Sequence, residues 1–78
     1  MSKVPVTERA LLGRINRALR DDDLVLRKNR PGGRAEQEMG RYFELNTRIN
    51  GATQHHVDIE QYGRELGVLR EWEELRDE

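Results

Sequence analysis

The chain has 78 residues, with 14 Lys and Arg against 15 Asp and Glu, a formal net charge of −1 and no Cys. That length suits one domain with a single small core, and the lack of thiols excludes disulfides and thiolate metal sites, which fits a reducing cytoplasm. No apolar run approaches the ~20 residues that span a membrane, and Met1 to Val6 hold no apolar segment of signal-peptide length.

Val4-Pro5-Val6 is expected to be extended, because proline pushes the residue before it out of the α region. The ends of the chain, 1–6 and 76–78, are expected to be loose. Thr7 is a good N-cap, Glu8 suits the positive end of a helix, and Leu11, Leu12, Ile15, Ala18 and Leu19 follow helical spacing as far as Arg20. Gly13 is a weak point in that helix, unless another segment comes close there. Asp21-Asp22-Asp23 is badly placed for the negative end of a helix, so the helix is predicted to stop near Arg20.

Leu24-Val25-Leu26-Arg27-Lys28 reads as a strand with Leu24 and Leu26 on one face and Val25 on the other. Asn29 to Arg34, with Pro31-Gly32-Gly33, reads as a turn, and residues 29–38 are expected to be the most mobile internal segment. Arg41 to Asn46 is a second strand, with Phe43 and Leu45 facing the core and Tyr42 and Glu44 facing away. Asn50-Gly51 predicts a hairpin turn, and Ala52 to Val57 returns as a third strand.

A capped helix follows. Asp58 can cap it, Gln61 can return the bond, and Val57 with Tyr62 can form a hydrophobic staple. Ile59, Tyr62 and Leu66 share one face, while Glu60 and Arg64 are spaced to pair on the solvent side. Gly67 fits a left-handed C-terminal residue, with Val68 and Leu69 folding back onto the helix. Leu69, Trp72 and Leu75 then predict a terminal helical turn that docks Trp72 on the core. The expected fold is a small two-layer α+β domain of αβββα order, in which two helices cover a three-stranded antiparallel sheet. The expected core is Leu11, Leu12, Ile15, Leu19, Leu24, Leu26, Phe43, Leu45, Val57, Ile59, Tyr62, Leu66 and Leu69.

Catalytic chemistry finds little support. The only serine is Ser2, near an end, and no cysteine nucleophile exists. His55 and His56 are adjacent, so on a strand they point to opposite faces and do not chelate one ion. No metal, no cofactor and no enzymatic activity are expected. Arg30 to Arg34 has glycines but not the lysine and hydroxyl of a phosphate-binding loop.

Charge is the more informative feature. Residues 1–41 carry ten Lys and Arg against six Asp and Glu, while residues 42–78 carry four against nine. A split of this kind can steer a charged partner, although two halves that neutralise each other give the same count. Arg27, Lys28, Arg30, Arg34 and Arg41 form the candidate contact surface for a partner or for phosphates, with Arg9, Arg14, Arg17 and Arg20 as an extension along the first helix. The acidic tail around Trp72 is a second candidate surface.

Three stretches together resemble small accessory proteins encoded on plasmids and integrated mobile elements of proteobacteria. They are Lys3 to Leu12 with Arg14-Ile15-Asn16-Arg17, the Gly40-Arg41-Tyr42-Phe43 strand, and Val57 to Glu60 through Gly67-Val68-Leu69. The resemblance covers most of the chain and its motifs are structural. It implies a cytoplasmic bacterial protein, a regulator or an inhibitor of a host defence system, and it transfers no functional residue. The expected function is a non-catalytic protein-interaction module, with weak nucleic-acid binding through the basic 27–34 loop as the alternative. No membrane partner is expected.

Overall fold

A computed structural model describes residues 3–76. Thr7 opens the first helix as its sequence suggests: its hydroxyl accepts from the Ala10 N–H at 3.1 Å, and helix α1 runs Glu8–Leu19. Leu11, Ile15 and Leu19 form its buried stripe. A short 3₁₀ turn, Arg20–Asp22, ends on Asp23 in the left-handed region, φ 57°, and turns the chain into the sheet.

Strand β1 is Val4–Thr7, β2 is Leu24–Lys28, β3 is Tyr42–Asn46, β4 is Gly51–Gln54 and β5 is Glu73–Arg76. Strands β2, β3 and β4 form a three-stranded antiparallel sheet in that order. Leu26 lies opposite Glu44 and Lys28 opposite Tyr42 on one face, with Val25 opposite Leu45 and Arg27 opposite Phe43 on the other. Asn50, at φ 53°, sits in the turn that joins β3 to β4. Helix α2, Arg34–Met39, lies between β2 and β3, where Ala35 to Gly40 hold helix-forming residues. Asn29 is buried beneath it, and its carboxamide donates to the carbonyls of Gly40 at 2.7 Å and Ala35 at 3.3 Å.

The parity of β3 is the reverse of the expectation. Tyr42 and Glu44 are the inward residues, while Phe43 and Leu45 are half-buried on the outer face and are not part of the core. Pairing decides this. Leu26 is committed to the face that α1 covers, and its cross-strand neighbour on that face is Glu44. Both inward polar groups find partners there. Tyr62 Oη donates to Glu44 Oε2, Thr53 Oγ1 donates to Glu44 Oε1 at 2.7 Å, and the Tyr42 hydroxyl stands beside Glu8.

Helix α3 is Ile59–Glu65, with Asp58 Oδ1 accepting from the N–H groups of Glu60 and Gln61 at 3.1 and 3.2 Å. The reciprocal bond expected from Gln61 is absent, since its carboxamide donates to Glu65 instead. Gly67, φ 75°, takes the left-handed position, and the amides of Val68 and Leu69 both return to the Gly63 carbonyl. Helix α3 packs on α1 through Gly63 against Leu11 and reaches the inner face of the sheet through Tyr62 on Glu44.

Both ends differ from the expectation. Residues 4–6, expected to be loose, belong to β1, which pairs in parallel with β5, Val4 opposite Glu73 and Val6 opposite Leu75. The terminal helical turn is strand β5, and Trp72, just before it, is 62% exposed rather than docked on the core. Arg76 is the last residue of β5, and the remainder of the expected loose C-terminus lies outside the described residues. The predicted Glu60–Arg64 pair does not form, because β5 recruits both side chains. Glu60 Oε2 accepts from the Leu75 N–H at 3.0 Å, and Arg64 donates to the carbonyls of Arg70 and Glu73 at 3.0 and 2.9 Å.

The core consists of Val6, Leu11, Ile15, Leu19, Leu26, Tyr42, Ile59 and Leu69, with Leu12, Leu24, Val57, Tyr62, Leu66, Val68 and Leu75 packed around it. One edge of the sheet is closed by a side chain. Leu26 N donates to Asn16 Oδ1 at 2.6 Å, and Asn16 Nδ2 donates back to Leu26 O at 3.2 Å, so a helix carboxamide occupies the place of a neighbouring strand.

Candidate functional site

The basic residues singled out by the sequence are not brought together as one patch. Lys28 and Arg41 converge on α1 and flank Glu8, with Lys28 Nζ at 2.7 Å from Oε1 and Arg41 at 3.9 Å from Oε2. The hydrogen bonds from Lys28, and then from Tyr42, hold the Glu8 carboxyl below the usual carboxylate range. Burial, and then the Glu8 carboxylate, push the Tyr42 hydroxyl up to about 12. Two cations are therefore occupied by one internal anion. Arg34 pairs within α2 with Glu38 at 3.6 Å, both well exposed. Arg27 lies on the outer face beside Phe43, and Arg30 lies in the exposed turn before α2. The five side chains thus divide among the inner face of the sheet, its outer face and the α2 segment.

The histidines stand on the turn between β4 and α3, not on a strand, since β4 ends at Gln54. Both are exposed, and His56 takes a left-handed conformation, φ 53°, while its N–H donates to the Met39 carbonyl at 2.7 Å. Gly40 is packed so closely against His56 that a Cβ would lie 2.6 Å from its Nδ1. Among the described residues no group of three or more His, Cys, Asp or Glu is placed to hold a metal ion. Nor is any described helix long and apolar enough to cross a membrane. The buried carboxylate Glu44, 3% exposed, is taken up by Tyr62 and Thr53.

A different site emerges between α1 and the segment that links α3 to β5. An open groove of about 510 Å³ is lined by Arg14, Arg17 and Ala18 from α1 and by Gly67, Val68, Arg70, Trp72 and Glu73 from the link. Its frame is tightly fixed. Arg14 Nη1 donates to the Val68 carbonyl at 3.0 Å and to Glu73 Oε1 at 2.9 Å. Glu73 Oε1 also accepts from the Arg70 N–H at 3.0 Å, and Glu73 N closes the turn onto the Arg70 carbonyl. The Arg14 guanidinium, and then the Arg70 N–H, hold the Glu73 carboxyl below the usual carboxylate range. The Trp72 carbonyl accepts from the Val4 N–H at 2.7 Å, so the backbone is anchored on both sides of the exposed indole.

Arg14 is thus structural, neutralised by Glu73. Arg17 and Arg70 are exposed, and neither has an ion-pair partner among the described residues. The groove therefore offers a flat aromatic surface, small apolar walls from Ala18 and Val68, and two uncommitted guanidinium groups on a rigid frame. Sequence reasoning placed Arg14 and Arg17 on α1 but assigned Trp72 to the core. Its sequence neighbours gave no signal, since Trp72 between Glu71 and Glu73 fits a half-buried strand as well as an exposed turn.

No protein-family profile matches the chain, and neither a curated protein nor a solved structure matches it.

Proposed function

We propose that this chain is a non-catalytic protein-interaction module that docks its partner through the Arg17–Arg70–Trp72 groove. The observation that carries this reading is the exposed Trp72 side chain on a hydrogen-bonded backbone, beside two arginines that have no ion-pair partner among the described residues. Trp and Arg dominate the energetics of protein interfaces, and a preordered frame lowers the entropy lost on binding. Against catalysis, the well-placed carboxylates Glu8, Glu44 and Glu73 are each engaged by neighbouring donors. Against nucleic acid as the main ligand, the five cations of the predicted basic surface do not form one patch, and Glu8 draws Lys28 and Arg41 towards itself. The resemblance to accessory proteins of proteobacterial mobile elements supplies a setting for such a module, the cytoplasmic regulation or inhibition of a host system.

The test is site-specific photocrosslinking in a bacterial lysate, with the photoreactive side chain at Glu71 on the groove rim and, separately, at Arg48 on the hairpin. A discrete protein adduct from position 71 that disappears when Arg17 and Arg70 are both changed to alanine is the expected outcome. Adducts to nucleic acid alone, or protein adducts insensitive to those two arginines, would refute the reading.

A further inference from the structure

The groove also constrains what kind of segment can bind it, and this step rests on the docking role proposed above. The positive charge belongs to Arg17 and Arg70, because Arg14 is cancelled by Glu73 at 2.9 Å. Uncompensated guanidinium groups flanking an apolar surface call for carboxylates or phosphates, with Arg favouring planar, bidentate oxyanions. The Trp72 ring and the Ala18 and Val68 side chains provide a place for one aromatic or branched apolar side chain. A volume of about 510 Å³ accommodates a few side chains.

The surroundings of the groove decide between an acidic peptide and a nucleic-acid strand. Exposed Glu71 and Glu74 flank Trp72 and Glu73, and Asp21, Asp22 and Asp23 follow about one turn beyond Ala18 at the end of α1. A phosphate backbone carries a charge at every nucleotide, so a strand leaving the groove meets these carboxylates. A peptide can confine its negative charge to the residues inside the groove. We infer that the site takes a short acidic peptide segment of a partner protein, with an aromatic or branched apolar side chain seated on Trp72 and carboxylates on either side of it paired with Arg17 and Arg70.

Because Trp72 is the single tryptophan of the chain, its fluorescence reports occupancy directly. The probes are the blocked pentapeptide EDFEL, its uncharged counterpart QNFQL, its cationic counterpart KKFKL and a ten-nucleotide oligo-dT, each titrated at ~150 mM salt, where surface charges beyond ~8 Å are screened. EDFEL is expected to shift the emission to the blue and saturate, with QNFQL at least several-fold weaker. The double variant Arg17→Glu with Arg70→Glu is expected to lose EDFEL by about tenfold, as for two exposed ion pairs, and to gain KKFKL. Neither side chain has an ion-pair partner among the described residues, so the variants should fold, and an unchanged circular dichroism melt checks this. Should the charge reversals unfold the chain, the Arg17→Ala with Arg70→Ala variant makes the same EDFEL comparison.

Equal affinity for EDFEL and QNFQL, tighter binding of oligo-dT than of EDFEL, or no spectral response at millimolar peptide would each overturn the inference. A groove-dependent protein adduct in the crosslinking experiment alongside an inert EDFEL would reject the acidic ligand while leaving the docking role standing. The absence of any protein adduct from position 71 of the unsubstituted protein, or an adduct that survives the double alanine change, would reject the docking role itself.

Discussion

Two glycines in helices should respond oppositely to the same substitution. Gly13 is exposed on α1, and a Cβ built there meets nothing within 4 Å. Gly63 is buried on α3, and a Cβ there comes within 2.9 Å of Leu11 Cδ1 and 3.3 Å of Leu69 Cβ. Alanine in a helix interior gains about 0.4–1 kcal/mol over glycine, largely by restricting the unfolded chain. Gly13→Ala should realise that gain. At Gly63 the same gain is opposed by overpacking, which costs about 1–3 kcal/mol when neighbours cannot move. Leu69 Cβ moves only with its backbone, and the Leu11 side chain can turn only against other buried residues of the core. Gly63→Ala should therefore be net destabilising by about 0.5–2 kcal/mol. For a domain of this size each ~1 kcal/mol moves the melting temperature by about 4–8 °C, so the two variants should melt on opposite sides of the wild type. Urea titrations with unchanged slope supply the free energies. A Gly63→Ala protein as stable as Gly13→Ala would show that α1 and α3 do not cross at this glycine, and the packing described around Leu11 would have to be abandoned.

Asn16→Asp keeps an acceptor for the Leu26 N–H but sets a carboxylate oxygen against the Leu26 carbonyl, so it should lose about 1–3 kcal/mol, measured by urea unfolding, and more than Asn16→Ser at the same site. Tyr62→Phe removes a donor from buried Glu44 and should cost about 1–3 kcal/mol, whereas a loss within ~0.3 kcal/mol would mean that the carboxylate is satisfied without it. Burial, and then the neighbouring carboxylates Glu8 and Glu44, raise the hydroxyl pKa values of Tyr42 and Tyr62, with Tyr42 at about 12. The folded state then holds protons that the unfolded state releases from about pH 10, so stability is intact below that pH and falls as pH rises towards 12. Denaturant midpoints between pH 9 and 11.5 check the sign, and a midpoint that rises across that window would contradict it.

Local signals were legible and long-range ones were not. Thr7, Asp58 and Gly67 act through neighbours a few residues away and took the predicted roles, and Asn50 sits in the predicted hairpin turn, although Gly51 already belongs to β4. Strand β2 was readable because Leu24 and Leu26 share one face against Val25 alone on the other. In β3 both parities have apolar members, and the choice fell to Leu26 on the neighbouring strand and to partners for Tyr42 and Glu44 from distant elements. The β1–β5 pair was unreadable for the same reason, since neither Val4–Thr7 nor Glu73–Arg76 has a strand partner nearby in sequence. Misplacing β5 also hid the groove, because docking Trp72 on the core removed the one aromatic surface on which the site depends.

The parallel pairing of β1 with β5 has a consequence for the order in which the protein is made. During synthesis Val4–Thr7 leaves the ribosome well before its partner Glu73–Arg76, with the other elements of this fold between them. Helix α1 and the β2–β4 sheet can assemble beforehand, but buried Val6 and half-buried Leu75 stay without each other until β5 emerges. Such late, distant closure slows folding and leaves β1 unpaired on the nascent chain. The same step sets the Trp72 carbonyl against Val4 and fixes Glu73 against Arg14, so the groove exists only once the chain has closed on itself. A copy lacking β5 would carry α1 and its arginines without the site, so binding waits for β5 to pair.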